Sequence, residues 1–375
     1  MNSNRLERVN VDRSPHPGAL LLEYLDWAGW SQQELAQRTG LTAKTISEIC
    51  NGKAPITARS ALALEPVLGR PANLWLGMQR RYEEMEARKG LQSKHSDWSD
   101  WIRKFPLKEM EQHDWIPSDK TSKDSIPTKL LHFFGVASPE SWSKTWESQR
   151  IAYRRSDLVH ANKFAIAAWI RATEIEAASI STYGFDDEKA RMLIQDLRGM
   201  TNKSPESYFD RWREACANAG IALVVLPQLK GTAISGCARW LSDSKAVIAL
   251  TSRYKTDDQI WLTFFHELAH LILHRKIFRF VLDLAEDSIY ESEVDPKMVD
   301  VEREANAFAE EALIPSKHLT QFLSQRSFSC ASIEKFASDV NVGAGIVVGR
   351  LQRAGVIDYH ACNHLKRRIS LASTP

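Results

Sequence analysis

Residues 261–274 read Trp261-Leu-Thr-Phe-Phe-His266-Glu267-Leu-Ala-His270-Leu-Ile-Leu-His274, an apolar helical run interrupted by ionisable side chains at fixed intervals. Two histidines four residues apart lie one turn above each other on the same helix face, so both imidazoles can bind one zinc ion. Glu267 stands beside them and can take a proton from a water that the cation acidifies. A His-Glu pair on a buried helix can also be plain hydrogen-bonded structure. Against that, burying three ionisable groups among apolar neighbours is costly unless a metal or a partner compensates.

A catalytic zinc needs a third protein ligand and an open fourth position. The run from Val301 to Pro315, with Glu302, Glu304, Ala305, Phe308, Ala309 and Ala312, offers two carboxylates flanking an apolar stripe. Glu302 shares its side with Ala305 and Ala309, whose small side chains allow a close helix approach, and is favoured over Glu304; solvated surface glutamates are the alternative. His274 falls four residues after His270, and it reads as a group behind the metal or packed on the sheet. Tyr254, Arg239 and His274 are the candidate donors for an oxyanion.

The phenylalanines before His266, the HELAH pattern itself and Glu302-Arg-Glu-Ala-Asn-Ala-Phe-Ala followed by Leu313-Ile-Pro resemble the ImmA/IrrE family of metallopeptidases over roughly residues 160–355. The resemblance implies a zincin-like fold, with His266, His270 and Glu302 as zinc ligands and Glu267 as general base. It also implies a protein substrate, typically a repressor of Xre type.

Upstream of the motif, β-rich runs are predicted at 221–226, 232–241 and 246–250, after helices near 161–180, 187–198 and 205–219. Helices follow at about 298–312, 316–324, 331–340 and 343–354. The expected architecture of 161–375 is therefore an α+β domain with a small sheet. The stretch from Gly231 to Trp240 lies next to the motif and is a candidate for pairing with an extended peptide, or an ordinary core strand.

The N-terminal part has a different grammar. Short helices are predicted at 18–27, 31–38, 42–50, 57–68 and 72–87, with Ser31 and Glu34 spaced as a capping box and Gly40 and Gly52 at stops. Ala36, Gly40, Ile46 and Ile49 have the spacing of a helix-turn-helix. The second helix turns short polar and cationic groups outward, which suits a major groove. A bundle for protein contacts is the alternative. From Pro17 to Glu84, above all Ser31-Gln-Gln-Glu-Leu-Ala-Gln-Arg-Thr-Gly and Ile49-Cys-Asn-Gly-Lys-Ala-Pro-Ile-Thr, the chain resembles the Xre/Cro-type domain of HigA-like antitoxins. Such domains bind palindromic operators as dimers, so double-stranded DNA and a homodimer are implied. Gln32, Lys44, Thr45, Ser47 and Lys53 are the candidate DNA contacts, the lysines for phosphate.

Three domains are expected: 1–88 for DNA, 89–160 as a helical connecting piece, and 161–375 for the metal. Trp98, Trp101, Trp115, Trp142 and Trp146 mark the middle piece and read as packing anchors rather than a ligand groove. The charge is balanced, 49 basic against 47 acidic residues, so a basic surface has to be local. Five cysteines without CxxC spacing argue against a disulfide framework or a cysteine zinc cluster, and suggest a reducing cytoplasm. Residues 1–18 have no apolar core for export, and no apolar run is long enough for a membrane span.

Together these features point to a DNA-binding regulator with a zinc-dependent endopeptidase site. The rival is a non-enzymatic, HigA-like antitoxin or repressor whose zinc domain is a sensor or a dock for a toxin partner. A zinc hydrolase of non-peptide amides also fits the motif.

Overall fold

The computed structural model describes residues 14–118, 125–147, 162–251, 256–275, 280–284 and 296–369. The chain divides into two compact units, Met1–Ser99 and Asp100–Pro375.

The first unit is all-helical: α1 (Pro17–Ala28), α2 (Gln32–Thr39), α3 (Ala43–Cys50), α4 (Ala58–Leu68) and α5 (Ala72–His95). Leu21, Leu25, Leu35, Ala36, Ile46, Ile49 and Trp75 form its core. The α2–α3 turn needs a left-handed residue, which Gly40 supplies at φ 70°. Gly18 is required for a different reason, because a Cβ there would meet the Ile49 carbonyl oxygen at 1.9 Å. The capping expected at Ser31 is half formed. Ser31 Oγ accepts from the Glu34 N–H at 3.1 Å, but the Glu34 carboxylate turns to Arg38 at 2.7 Å. The reciprocal box belongs to Thr57 and Ser60 instead.

The second unit is built on a four-stranded sheet in the order β1-β3-β2-β4, with β1 at Ile221–Leu226, β2 at Ile234–Ser242, β3 at Lys245–Thr251 and β4 at Phe280–Leu284. β1 and β3 are parallel, and β2 is antiparallel to both β3 and β4. The expectation that 231–240 receives an extended peptide is corrected here. β2 is hydrogen-bonded on both sides, Gly236 standing opposite Leu250 and Asp283 at once, and so has no free edge.

Strand alternation sorts the two faces. Ile221, Leu223, Ala238 and Ile248 join the core of the motif helix (Asp257–Leu273), whereas Ala222, Val224, Cys237 and Val247 face the helix Lys163–Ser179. Trp101, Trp142 and Trp146 are buried in that second core, with Trp142 stacked on Phe164 at 4.8 Å. Trp101, Trp142 and Trp146 are anchors in the same core as the sheet, with Trp115 packed against it, whereas Trp98 lies outside it. Behind the motif helix, the glutamate helix (Pro296–Leu313) and the helices Ser316–Ser324, Cys330–Asp339 and Ala344–Arg353 complete the α+β unit.

The cysteine expectation is also corrected, since Cys330 and Cys362 form a disulfide across 32 residues of sequence. Pairs made by tertiary proximity carry no local spacing signal. Cys50, Cys216 and Cys237 are free and buried. Among the described residues, no helix is long and apolar enough to cross a membrane.

Candidate metal centre

The motif helix is held by aromatic packing before its chemistry begins. Trp261 stacks on Trp212 at 4.2 Å between centroids, and Phe264 meets Trp212 edge-on at 4.9 Å. That anchoring fixes the rotation of the helix, so His266 and His270 face the glutamate helix and Glu267 faces β2, none of them solvent. His266 is 4% exposed, His270 3%, Glu302 6% and Glu267 fully buried.

Three donors converge. His266 Nε2 and His270 Nε2 lie 3.0 Å apart. Glu302 reaches between them, Oε2 at 3.3 Å from His266 Nε2 and Oε1 at 3.8 Å from His270 Nε2. Among the described residues these three are the metal-competent cluster, all ligand atoms lying within 4.8 Å of one another. Two imidazole nitrogens and a carboxylate form a borderline donor set suited to zinc. The outer nitrogen of each ring is engaged elsewhere, His266 Nδ1 with Asn306 Oδ1 at 2.8 Å and His270 Nδ1 with His274 Nδ1 at 3.0 Å. Both Nε2 atoms are thereby turned to a common point, and the residues fit a zinc ion.

The two candidate ligand glutamates, Glu302 and Glu304, separate cleanly. Glu302 is buried at the cluster, whereas Glu304 has a side chain 65% exposed and meets His274 Nε2 at 3.1 Å. Ala305 and Ala309 are fully buried, as a close helix approach requires. Asn306 is a site residue that the motif reading misses, although it stands one turn after Glu302 and so on the same face.

Glu267 lies against the backbone of β2. A Cβ at Gly236 would fall 2.7 Å from Glu267 Oε1 and 2.6 Å from Thr263 Cγ2. The free Cys237 next along the strand points to the other face, where burial, and then the negative charge of Glu267, push its thiol well above the usual range.

Of the three candidate oxyanion donors, Tyr254 lies outside the described residues. Arg239 shares the strand parity of Cys237 and pairs with Glu174 at 2.7 Å, on the face of the sheet opposite the motif helix. It cannot serve the metal centre. His274 is tied to His270 and Glu304.

In the first unit, Lys44 and Lys53 are exposed, while Gln32, Thr45 and Ser47 are half-buried. Lys44, Thr45 and Ser47 lie on α3, Gln32 opens α2, and Lys53 follows α3. Thr45 Oγ1 meets the capping Thr42 Oγ1 at 2.8 Å, and Asn51 Nδ2 donates to the Ser47 carbonyl at 2.8 Å. Lys44 approaches Glu48 at 3.8 Å.

Two family models match the chain: a helix-turn-helix model over residues 21–75 and an IrrE N-terminal-like domain, Peptidase_M78, over residues 220–352. The chain is 33% identical over 81 residues to the uncharacterized HTH-type transcriptional regulator YddM of Escherichia coli K12, covering 22% of this chain and 86% of that protein. It is 36% identical over 70 residues to virulence-associated protein A' of Dichelobacter nodosus, covering 18% of this chain and 61% of the other. Among solved structures, an addiction module antidote protein of the HigA family from Coxiella burnetii is 29% identical, with 24% of this chain and 94% of that one covered and a TM-score of 0.21. The Pseudomonas aeruginosa antitoxin HigA, solved with the higBA promoter, gives 29% identity, 22% and 94% coverage, and a TM-score of 0.21. The chain belongs to the Xre-like helix-turn-helix proteins through its N-terminal unit, and its C-terminal unit carries an IrrE/ImmA-like domain of the Peptidase_M78 family.

Proposed function

We propose that the protein is a DNA-binding regulator that hydrolyses a peptide bond of a regulatory protein at a zinc site held by His266, His270 and Glu302. The observation that carries this reading is the convergence of those three buried donors with Glu267 one residue from His266. When bound, zinc would polarise the scissile carbonyl and acidify water. Glu267 would take the proton of the attacking water and return it to the leaving amine, as a carboxylate buried among apolar groups is disposed to do. The neighbouring β2 backbone at Gly236 would limit where that carboxylate can turn.

The first unit supports the regulatory half of the reading. α3 offers Lys44, Thr45 and Ser47, with Gln32 and Lys53 flanking, to a duplex operator, and the protein would act in the cytoplasm as a homodimer. A repressor of the Xre type is the substrate class we favour, with the DNA part drawn from 1–88 and the peptidase part from 161–375.

The test is elemental analysis of the purified chain beside His266→Ala and Glu302→Ala, followed by proteolysis assays of Glu267→Gln. One zinc per chain lost in both ligand variants, with cleavage abolished in Glu267→Gln, is the expected result. Absence of zinc after reconstitution overturns the metal reading. Zinc retained, with every phenotype preserved in Glu267→Gln and repression lost in Lys44→Ala, would favour the antitoxin-like repressor with a toxin partner.

A further inference from the structure

We propose that His274 and Glu304 are positioning residues for the metal centre, acting together on His270; the inference rests on the metal reading above. The geometry is a chain of two contacts. His270 Nδ1 lies 3.0 Å from His274 Nδ1, and His274 Nε2 lies 3.1 Å from Glu304 Oε2.

The direction of that chain follows from what each atom can do. An ionised carboxylate only accepts, so the proton of His274 sits on Nε2 and its Nδ1 carries a lone pair. His270 must then hold its own proton on Nδ1, which leaves Nε2 bare. That is the nitrogen facing Glu302 and His266 Nε2. A metal-binding imidazole needs this tautomer, and it is set by the hydrogen bond at the far nitrogen. Without Glu304, His274 is free to place its proton on Nδ1, and His270 would then keep its proton on the nitrogen required for the metal.

Burial and backbone make the arrangement selective. His274 is 2% exposed and ends the motif helix, its N–H donating to the His270 carbonyl at 3.2 Å. The imidazole is thus buried where it meets His270. Glu304 is the exposed end of the chain. A contact of that exposure adds little to stability, so its contribution is to the choice of tautomer. His266 is served separately by Asn306, and the glutamate helix therefore supplies a ligand at 302 and outer acceptors at 304 and 306.

The experiment measures the zinc Kd of the full chain by competition with a chromophoric chelator, with the visible spectrum of the cobalt(II)-loaded protein as a second readout. His274→Phe is expected to weaken zinc binding by about 10- to 100-fold. Glu304→Ala should move affinity and the cobalt spectrum in the same direction by roughly tenfold, the lower end of that range. Glu304→Gln, whose amide oxygen still accepts, should restore both toward wild type. Should His274→Phe fail to fold in circular dichroism, the exposed Glu304→Ala and Glu304→Gln pair decides. Zinc affinity and cobalt spectrum unchanged in Glu304→Ala, in a chain whose wild type binds zinc, would overturn the proposal. A wild type that binds no zinc overturns the metal reading and this inference with it.

Discussion

Asn306 holds His266 from behind: its Oδ1 lies 2.8 Å from His266 Nδ1, one turn beyond Glu302 on the same helix. An amide oxygen is an acceptor only, so it fixes the proton on Nδ1 and leaves Nε2 for a cation. Asn306→Leu, similar in volume and without the acceptor, should weaken zinc binding by about 10- to 100-fold. Asn306→Asp should retain most of the affinity. Chelator competition checks both, and equal affinity in Asn306→Leu and wild type would refute the role.

At Gly236 the backbone of β2 passes close to Glu267. A methyl group at this position would stand 2.6 Å from Thr263 Cγ2 and 2.7 Å from Glu267 Oε1, nearer than real contacts allow. Gly236→Ala should cost about 1–3 kcal/mol of stability by overpacking. Because the strand is paired on both sides, Glu267 and Thr263 have to move, so peptidase activity should fall more than zinc content. Thermal unfolding and metal analysis of the same preparation separate the two effects.

Asp257, at the start of the motif helix, is 2% exposed and its pKa is pushed up to about 6. Burial is the main cause. The neighbouring Asp258 adds to it, while hydrogen bonds from the Arg367 and Asp258 N–H groups and the positive charge of Arg367 oppose it. Lys366 neutralises Asp258 at 2.8 Å. Since the folded pKa is raised, the contribution to stability is complete below the unfolded value near 3.8 and is lost as pH rises through about 6. Asp257→Asn keeps an oxygen for both N–H donors and has no charge to bury. Its stability relative to wild type should grow by roughly 2–3 kcal/mol between pH 4 and pH 7. Denaturant unfolding across that range measures it, and a constant difference would contradict the assignment.

The candidate metal cluster is legible in the sequence because its logic is local: His266 and His270 are one turn apart, and Ala305 and Ala309 beside Glu302 mark a helix built for close approach. The same rule reaches Asn306, which is one turn from Glu302. Period-two alternation along β2 is equally local, and by itself it puts Arg239 and Gly236 on opposite faces of the strand. Other features depend on what lies across the fold. β4 pairs with β2 and removes its free edge, and Cys330 meets Cys362 only after the last helices are packed. The second half of the Ser31 box is lost to a competitor one turn away, Arg38, which offers Glu34 a charged donor.

Lys44 carries the sharpest prediction for the first unit. It is exposed on α3, its side chain 82% accessible, and its approach to Glu48 at 3.8 Å is too weak to hold it away from a phosphate. A phosphate contact does not depend on base identity. Lys44→Ala should therefore weaken binding to operator and random duplex by a similar factor and reduce the slope of log K against log salt by about 1. Ser47→Ala, on the same helix and proposed to read base edges, should leave that slope alone and narrow the ratio between operator and random duplex. Fluorescence anisotropy over a salt series distinguishes the two. A Lys44→Ala variant with the wild-type slope would remove Lys44 from the interface and leave α3 without a phosphate anchor of its own, since its remaining charged side chain is the acidic Glu48.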